Sequence, residues 1–189
     1  MRTKTVFITT LALALAGRAT ARELTAFDLI KAGDPYVGIQ SKDKVVEIHS
    51  EKSVAGLTPD IWYVDYFDQD AALKFAEVKF AAGQEANVSH PFRPFQMPYH
   101  ESDIFAKSKL RVDSNRALSI AKSQPILKKL TLKASQLTLE QGDEGPVWKV
   151  RLWVAKLDNP DKEADLGVLT LSATDGSVVK NDLHPDKAD

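Results

Sequence analysis

Two segments constrain this fold more than any others: PDIWYVDYF at 59–67 and GPVWKVRLW at 145–153. In both, side chains alternate around a tryptophan with a period of two, the pattern of a strand rather than a helix. Trp62, Val64 and Tyr66 share one face, and Ile61, Tyr63, Asp65 and Phe67 the other. In the second segment Trp148, Val150, Leu152 and Val154 oppose Lys149, Arg151 and Trp153. Aromatic and β-branched residues suit a pleated, half-buried surface, so both segments are predicted as strands. Aligning Trp62 with Trp148 also aligns Val64 with Val150 and Phe67 with Trp153, at a constant spacing of 86 residues.

The remaining elements repeat the same order on either side of a proline-rich middle. Leu24–Ala32, where Thr25 stands three residues before Asp28 as in a capping box, is predicted as a short amphipathic helix ended by Gly33-Asp34-Pro35. Its counterpart is Ser114–Lys122, capped by Asp113 or Ser114 and stopped before Pro125. Val45–His49, with Val46 and Ile48 alternating against Glu47 and His49, reads as a strand and corresponds to Leu137–Glu140. Leu130, Leu132 and Ala134 precede Leu137 and Leu139 in opposite phase, giving one strand with a bulge near Ser135-Gln136, or two strands. Residues 71–83 read two ways: Ala, Leu, Lys and Glu favour helix, whereas Leu73/Phe75 and Val78/Phe80 fit a strand with one slip of phase. Equivalence of the halves would make this stretch a strand, matching Gly167–Ala173 and its closing Asp175-Gly176 turn.

Residues 88–112 change character, with Pro91, Pro94 and Pro98 set among Phe92, Phe95, Met97 and Tyr99. Proline removes ladder donors and restricts its predecessor, so an extended connector is expected. The expected organisation is a unit at 22–88, a connector at 89–112, a second unit at 113–183 and a tail at 184–189. The fold class expected is α+β: two repeated units, each a short helix packed on a curved antiparallel β-sheet.

The second half, with helix ALSIAK, a strand, a W-x-V-x-L strand and LTLSATDGSVVK, resembles the small PepSY domain. Ala117 and Ala121 match that family's A-x-x-x-A helix. Thr174-Asp175-Gly176-Ser177-Val178 matches its closing turn loosely, with Asp175 where Thr is usual. The resemblance spans roughly residues 113–182; residues 24–88 match less well. It implies a small α+β domain of exported bacterial proteins, associated with peptidase inhibition or regulation and with unassigned binding roles. It brings no catalytic residues.

At the N-terminus, Arg2 and Lys4 precede an apolar run from Val6 to Ala16 and the small residues Ala19-Thr20-Ala21. This is the secretory pattern, with cleavage expected after Ala21; a retained anchor or buried helix is the alternative. The run falls short of the ~20 residues that span a bilayer, so no stable membrane insertion is expected after cleavage. Cleavage to a periplasmic or secreted protein removes Arg2, Lys4 and Arg18 and no acid, taking the net charge from −1 to −4. Such a chain has no electrostatic reason to seek nucleic acid. It has no cysteine, which excludes disulfides, thiol catalysis, iron–sulfur clusters and cysteine-bound zinc.

No G-x-S-x-G, Walker A or G-x-G-x-x-G pattern occurs, and the four histidines form no H-x-x-x-H or H-E-x-x-H pair. No catalytic residue, cofactor or metal is therefore expected. The acidic turn Asp158–Asp165 lacks the EF-hand order and reads as a solvated hairpin loop. The expected function is a non-enzymatic binding or regulatory protein recognising a protein or peptide of the cell envelope. A small-ligand carrier and an envelope hydrolase are the alternatives. The candidate partner surface is Phe67, Phe92, Phe95, Tyr99, Arg151 and Trp153. Aromatics on a proline-stiffened segment suit recognition; the competing reading, and the preferred one, is that the connector aromatics plug a seam between the halves.

Overall fold

The structure, a computed structural model, describes residues 24–188. The signal segment expected at 1–21 lies outside the described residues. The chain is α+β, with one antiparallel sheet of eight strands. These are β1 (Val45–Ser50), β2 (Ile61–Phe67), β3 (Phe75–Ala81), β4 (Gln84–Ser89), β5 (Leu132–Gly142), β6 (Gly145–Ala155), β7 (Glu163–Ser172) and β8 (Val178–Leu183). Their order is β4-β3-β2-β1-β5-β6-β7-β8, so two meanders meet at the centre where Ile48 opposes Leu139 and His49 opposes Thr138. Helix α1 (Ala26–Gly33) precedes β1 and helix α2 (Ser114–Lys122) precedes β5. No helix among the described residues is long and apolar enough to cross a membrane.

Both helices pack on the face that carries Trp62 and Trp148. Their buried residues join Ile48, Val64, Leu137, Val150 and Leu169 in one hydrophobic cluster. The Trp148 ring is fully buried, and its indole N–H donates to the Val112 carbonyl at 2.7 Å, satisfying the ring's one polar atom. The Tyr66 hydroxyl likewise donates to the Ile30 carbonyl of α1 at 2.6 Å. The capping box forms as expected: Thr25 Oγ1 accepts from the Asp28 amide, and the Asp28 carboxylate accepts from the Thr25 amide. Two more amides of α1 find partners at the start of α2. Ala26 donates to Ser114 Oγ at 3.0 Å and Phe27 to Asp113 Oδ1 at 3.1 Å, pinning the two N-termini together.

Residues 71–83 contain strand β3, not a helix. All seven of its residues pair with β2 in unbroken register, and tertiary pairing overrides helix propensity. The apparent slip of phase there is not a bulge against β2. Phe75 and Val78 point to opposite faces, and both faces are covered. The bulge expected near Ser135-Gln136 lies instead between Leu132 and Ala134 of the single strand β5. Strand β7 begins at Glu163, before the expected Gly167, because a register shift opposite Leu152 and Trp153 rephases it and lets both Leu166 and Leu169 reach the core. Within the expected tail, Pro185–Ala188 form a 3-10 turn whose Ala188 is buried and accepts from the Leu157 amide.

Candidate functional site

The connector is a strap across the sheet face opposite the helices. It leaves the edge strand β4 at Ser89 and passes over β3, β2 and β1 before turning into the core at Phe105. Three side chains fix it. His90 lies 3.0 Å from Asp68, Arg93 reaches Asp65 (3.1 Å) and Glu77, and the Tyr99 hydroxyl donates to Glu47 at 2.7 Å. Arg93 also lies over the Phe75 ring at 5.0 Å, which Tyr99 meets edge-on.

Strand β1 is not a plain alternation: a register shift between Val45 and Glu47 puts Val45 in the helix-side core with Ile48, and Glu47 and His49 turn to the other face, beneath the strap. Glu47 opposes Asp65 across β1 and β2, and His49 opposes Tyr63, on which its ring stacks at 4.8 Å. Asp65 is completely buried, and burial pushes its carboxyl up to about 7 against the opposing pull of the Arg93 charge. Burial acts the same way on Glu47, but contacts from His49 and Tyr99 outweigh it and hold that carboxyl below its ordinary value. His49 is held above its ordinary value, the approach of Glu47 outweighing burial. His49 Nδ1 lies 3.1 Å from Glu47 Oε1 but is too oblique for a hydrogen bond.

Beyond these anchors the strap presents apolar side chains to solvent. Phe92 is 79% exposed, Met97 79% and Phe95 103%. The Gln96 amide donates to the Arg93 carbonyl at 3.2 Å, closing a turn with Pro94 second and Phe95 third. Phe95 has φ +71°, the type II geometry that normally selects glycine or asparagine at that place. A left-handed bulky aromatic costs about 1 kcal/mol or more, and such strain clusters at functional sites.

The candidate surface residues therefore divide. Phe92 and Phe95 are exposed on the strap and plug no seam between the halves. Tyr99 points inward to Glu47. Phe67 is buried and lines a small cavity of about 320 Å³ with Pro98 and Tyr99, so it offers no free surface. Trp153 lies far along the sheet on β6, half-buried between Lys52 (4.7 Å) and Arg151 (5.4 Å). Arg151 is ion-paired with Asp165. Glu47, His49, Asp65 and Arg93 were not among the expected site residues. The signal that could have found them was the polar face of two neighbouring strands, which alternation alone assigns to solvent.

On the helix side, a cleft of about 450 Å³ opens between the two helix N-termini, lined by Leu24, Pro59, Trp62, Leu118 and Leu137 among polar groups. No family model matches the chain, nor does any curated protein or solved structure compared with it.

Proposed function

We propose that this is an exported, non-enzymatic binding or regulatory protein that recognises an extended segment of a cell-envelope protein or peptide through the strap. The observation carrying this reading is the exposure of Phe92, Phe95 and Met97 on a segment anchored by buried ion pairs and stiffened by three prolines. A rigid, pre-ordered apolar surface loses little entropy on binding. The strap also continues directly from β4, whose outer edge pairs with nothing among the described residues. Its sequence QEANVS carries neither the lysine nor the proline that commonly guards an edge, whereas β8 at the other edge carries Lys180 and Asp182. An extended peptide added along β4 would lay alternate side chains toward the strap.

The finer architectural reading, two PepSY-like units in tandem, is part of the proposal. Its support is the helix-plus-four-strand order on each side of the connector, and the shared spacing of Trp62 and Trp148. The helix-side cleft supports a second reading, a small-ligand carrier, but polar Thr25, Ser114, Asn115 and Lys122 line it as well.

The test is selection from a displayed library of random linear peptides, using wild-type protein and a Phe92→Ser, Phe95→Ser, Met97→Ser variant. Wild type should enrich apolar extended peptides and the variant should not, with equal melting temperatures. Equal enrichment by both, or none by wild type, overturns the proposal.

A further inference from the structure

Three donor groups, two carboxylates and an imidazole, converge under the strap. Glu47 and His49 stand two residues apart on β1, and Asp65 is the cross-strand neighbour of Glu47 on β2. One ligand atom from each lies within 4.8 Å of the other two. Ligands of a tetrahedral zinc-type ion, bound at 2.0–2.1 Å, stand about 3.3 Å apart. Glu47 Oε1 and His49 Nδ1 already have that spacing at 3.1 Å. With the three ligand atoms all within 4.8 Å of one another, drawing the set together to that spacing takes movements of about 1.5 Å at most.

The surrounding bonds leave the right atoms over. Tyr99 occupies Glu47 Oε2, and Arg93 occupies Asp65 Oδ2. Among the described residues three buried side-chain polar atoms lack a hydrogen-bond partner, and two of them are Asp65 Oδ1 and His49 Nδ1. An orphaned oxygen on a fully buried carboxylate carries a desolvation cost that bound cations commonly offset.

We propose that Glu47, His49 and Asp65 bind one first-row divalent transition-metal ion of the zinc type, with Arg93 and Tyr99 as positioning residues. An imidazole with two carboxylates favours zinc, cobalt or manganese over calcium or magnesium, which take oxygen alone. Glu47 and His49 are each about a fifth exposed (side chains 23% and 22%), giving the ion an approach and leaving a coordination position to water. Hydrogen bonds to the outer carboxylate oxygens fix ligand orientation, a role worth 10- to 100-fold in affinity. The site does not depend on the strap's binding a peptide.

The purified protein, stripped with EDTA, is titrated with Zn²⁺ by calorimetry and with Co²⁺ by visible absorption. One ion per chain is expected, with cobalt d–d bands. His49→Ala and Asp65→Asn should each weaken binding at least about 100-fold, and Tyr99→Phe about 10- to 100-fold. His184→Ala, away from the strap, should change neither affinity nor spectrum. Should Asp65→Asn fail to fold, His49→Ala, at a side chain about a fifth exposed, and the conservative Tyr99→Phe decide the matter. Absence of saturable uptake, or His49→Ala binding as tightly as wild type, overturns the site. So does binding abolished by His184→Ala.

Discussion

Phe95 combines two costs that a chain under no functional constraint avoids, full exposure and a left-handed backbone. A glycine adopts φ +71° freely, whereas a Cβ there meets its own carbonyl. Phe95→Gly should therefore be more stable than Phe95→Ala by about 1 kcal/mol, the reverse of the usual loop order, as read from urea midpoints. The opposite ranking would show that the turn relaxes and stores no strain. Asp165 makes a second residue-level case. The hydrogen bond from Arg151 holds its carboxyl below 3.8. A depressed folded-state value adds stability above the unfolded pKa and loses it as pH falls through the folded one. This pair is about half exposed, so solvent screening limits its contribution. Asp165→Asn should cost about 0.3–0.5 kcal/mol at pH 7, and the difference should shrink as pH falls through the folded-state value. A difference that stays constant down the acid range would mean the loss is in packing.

At the scale of elements, the rephasing of β7 turns on Gly167. Its φ is +111°, and a Cβ there would stand 2.1 Å from the Asp182 carbonyl oxygen of β8. No flexible side-chain end can yield at that contact; the backbone of β8 must move. Gly167→Ala should cost about 3 kcal/mol and speed hydrogen exchange of the Val178–Leu183 amides before those of β5 and β6. Uniform exchange across the sheet would refute a local detachment. The same bulge shows where sequence reading stopped. Trp62, Trp148 and their alternating neighbours were legible because one face is apolar and the period of two is unbroken. The rephasing of β7 was not, because a positive φ at one glycine leaves no periodic trace. Residues 71–83 were ambiguous for a related reason. Phe75 faces the strap and Val78 the helices, so burial on both faces removes the alternation that identifies a strand. The ionic cluster was hidden for the opposite reason. Glu47, His49 and Asp65 alternate as solvent-facing residues should, and only the strap, distant in sequence, buries them.

For the whole molecule, the question is whether two meanders joined at one strand pair act as two folding units. The direct β1–β5 register is short, at Ile48–Leu139 and His49–Thr138. Side chains extend it: Ser50 Oγ accepts from the Leu137 amide at 3.0 Å, and Ser53 Oγ from the Ser135 amide at 2.9 Å. Asp113 and Ser114 cap the first turn of α1 from the other half, and the strap ends by delivering Phe105 and Val112 into the shared cluster. Neither meander can open without stripping apolar neighbours and buried hydrogen bonds from the other, the condition for all-or-none unfolding. The expected result is one transition in urea, with far-UV circular dichroism and tryptophan fluorescence giving the same midpoint. Trp62 reports on one meander, while Trp148 and Trp153 report on the other. Trp62→Phe and Trp148→Phe should each shift both signals together, since each also leaves a buried carbonyl, Pro59 or Val112, without its indole donor. Separate midpoints would mean the seam is an interface between independent cores, and the shared cluster a contact between two finished domains.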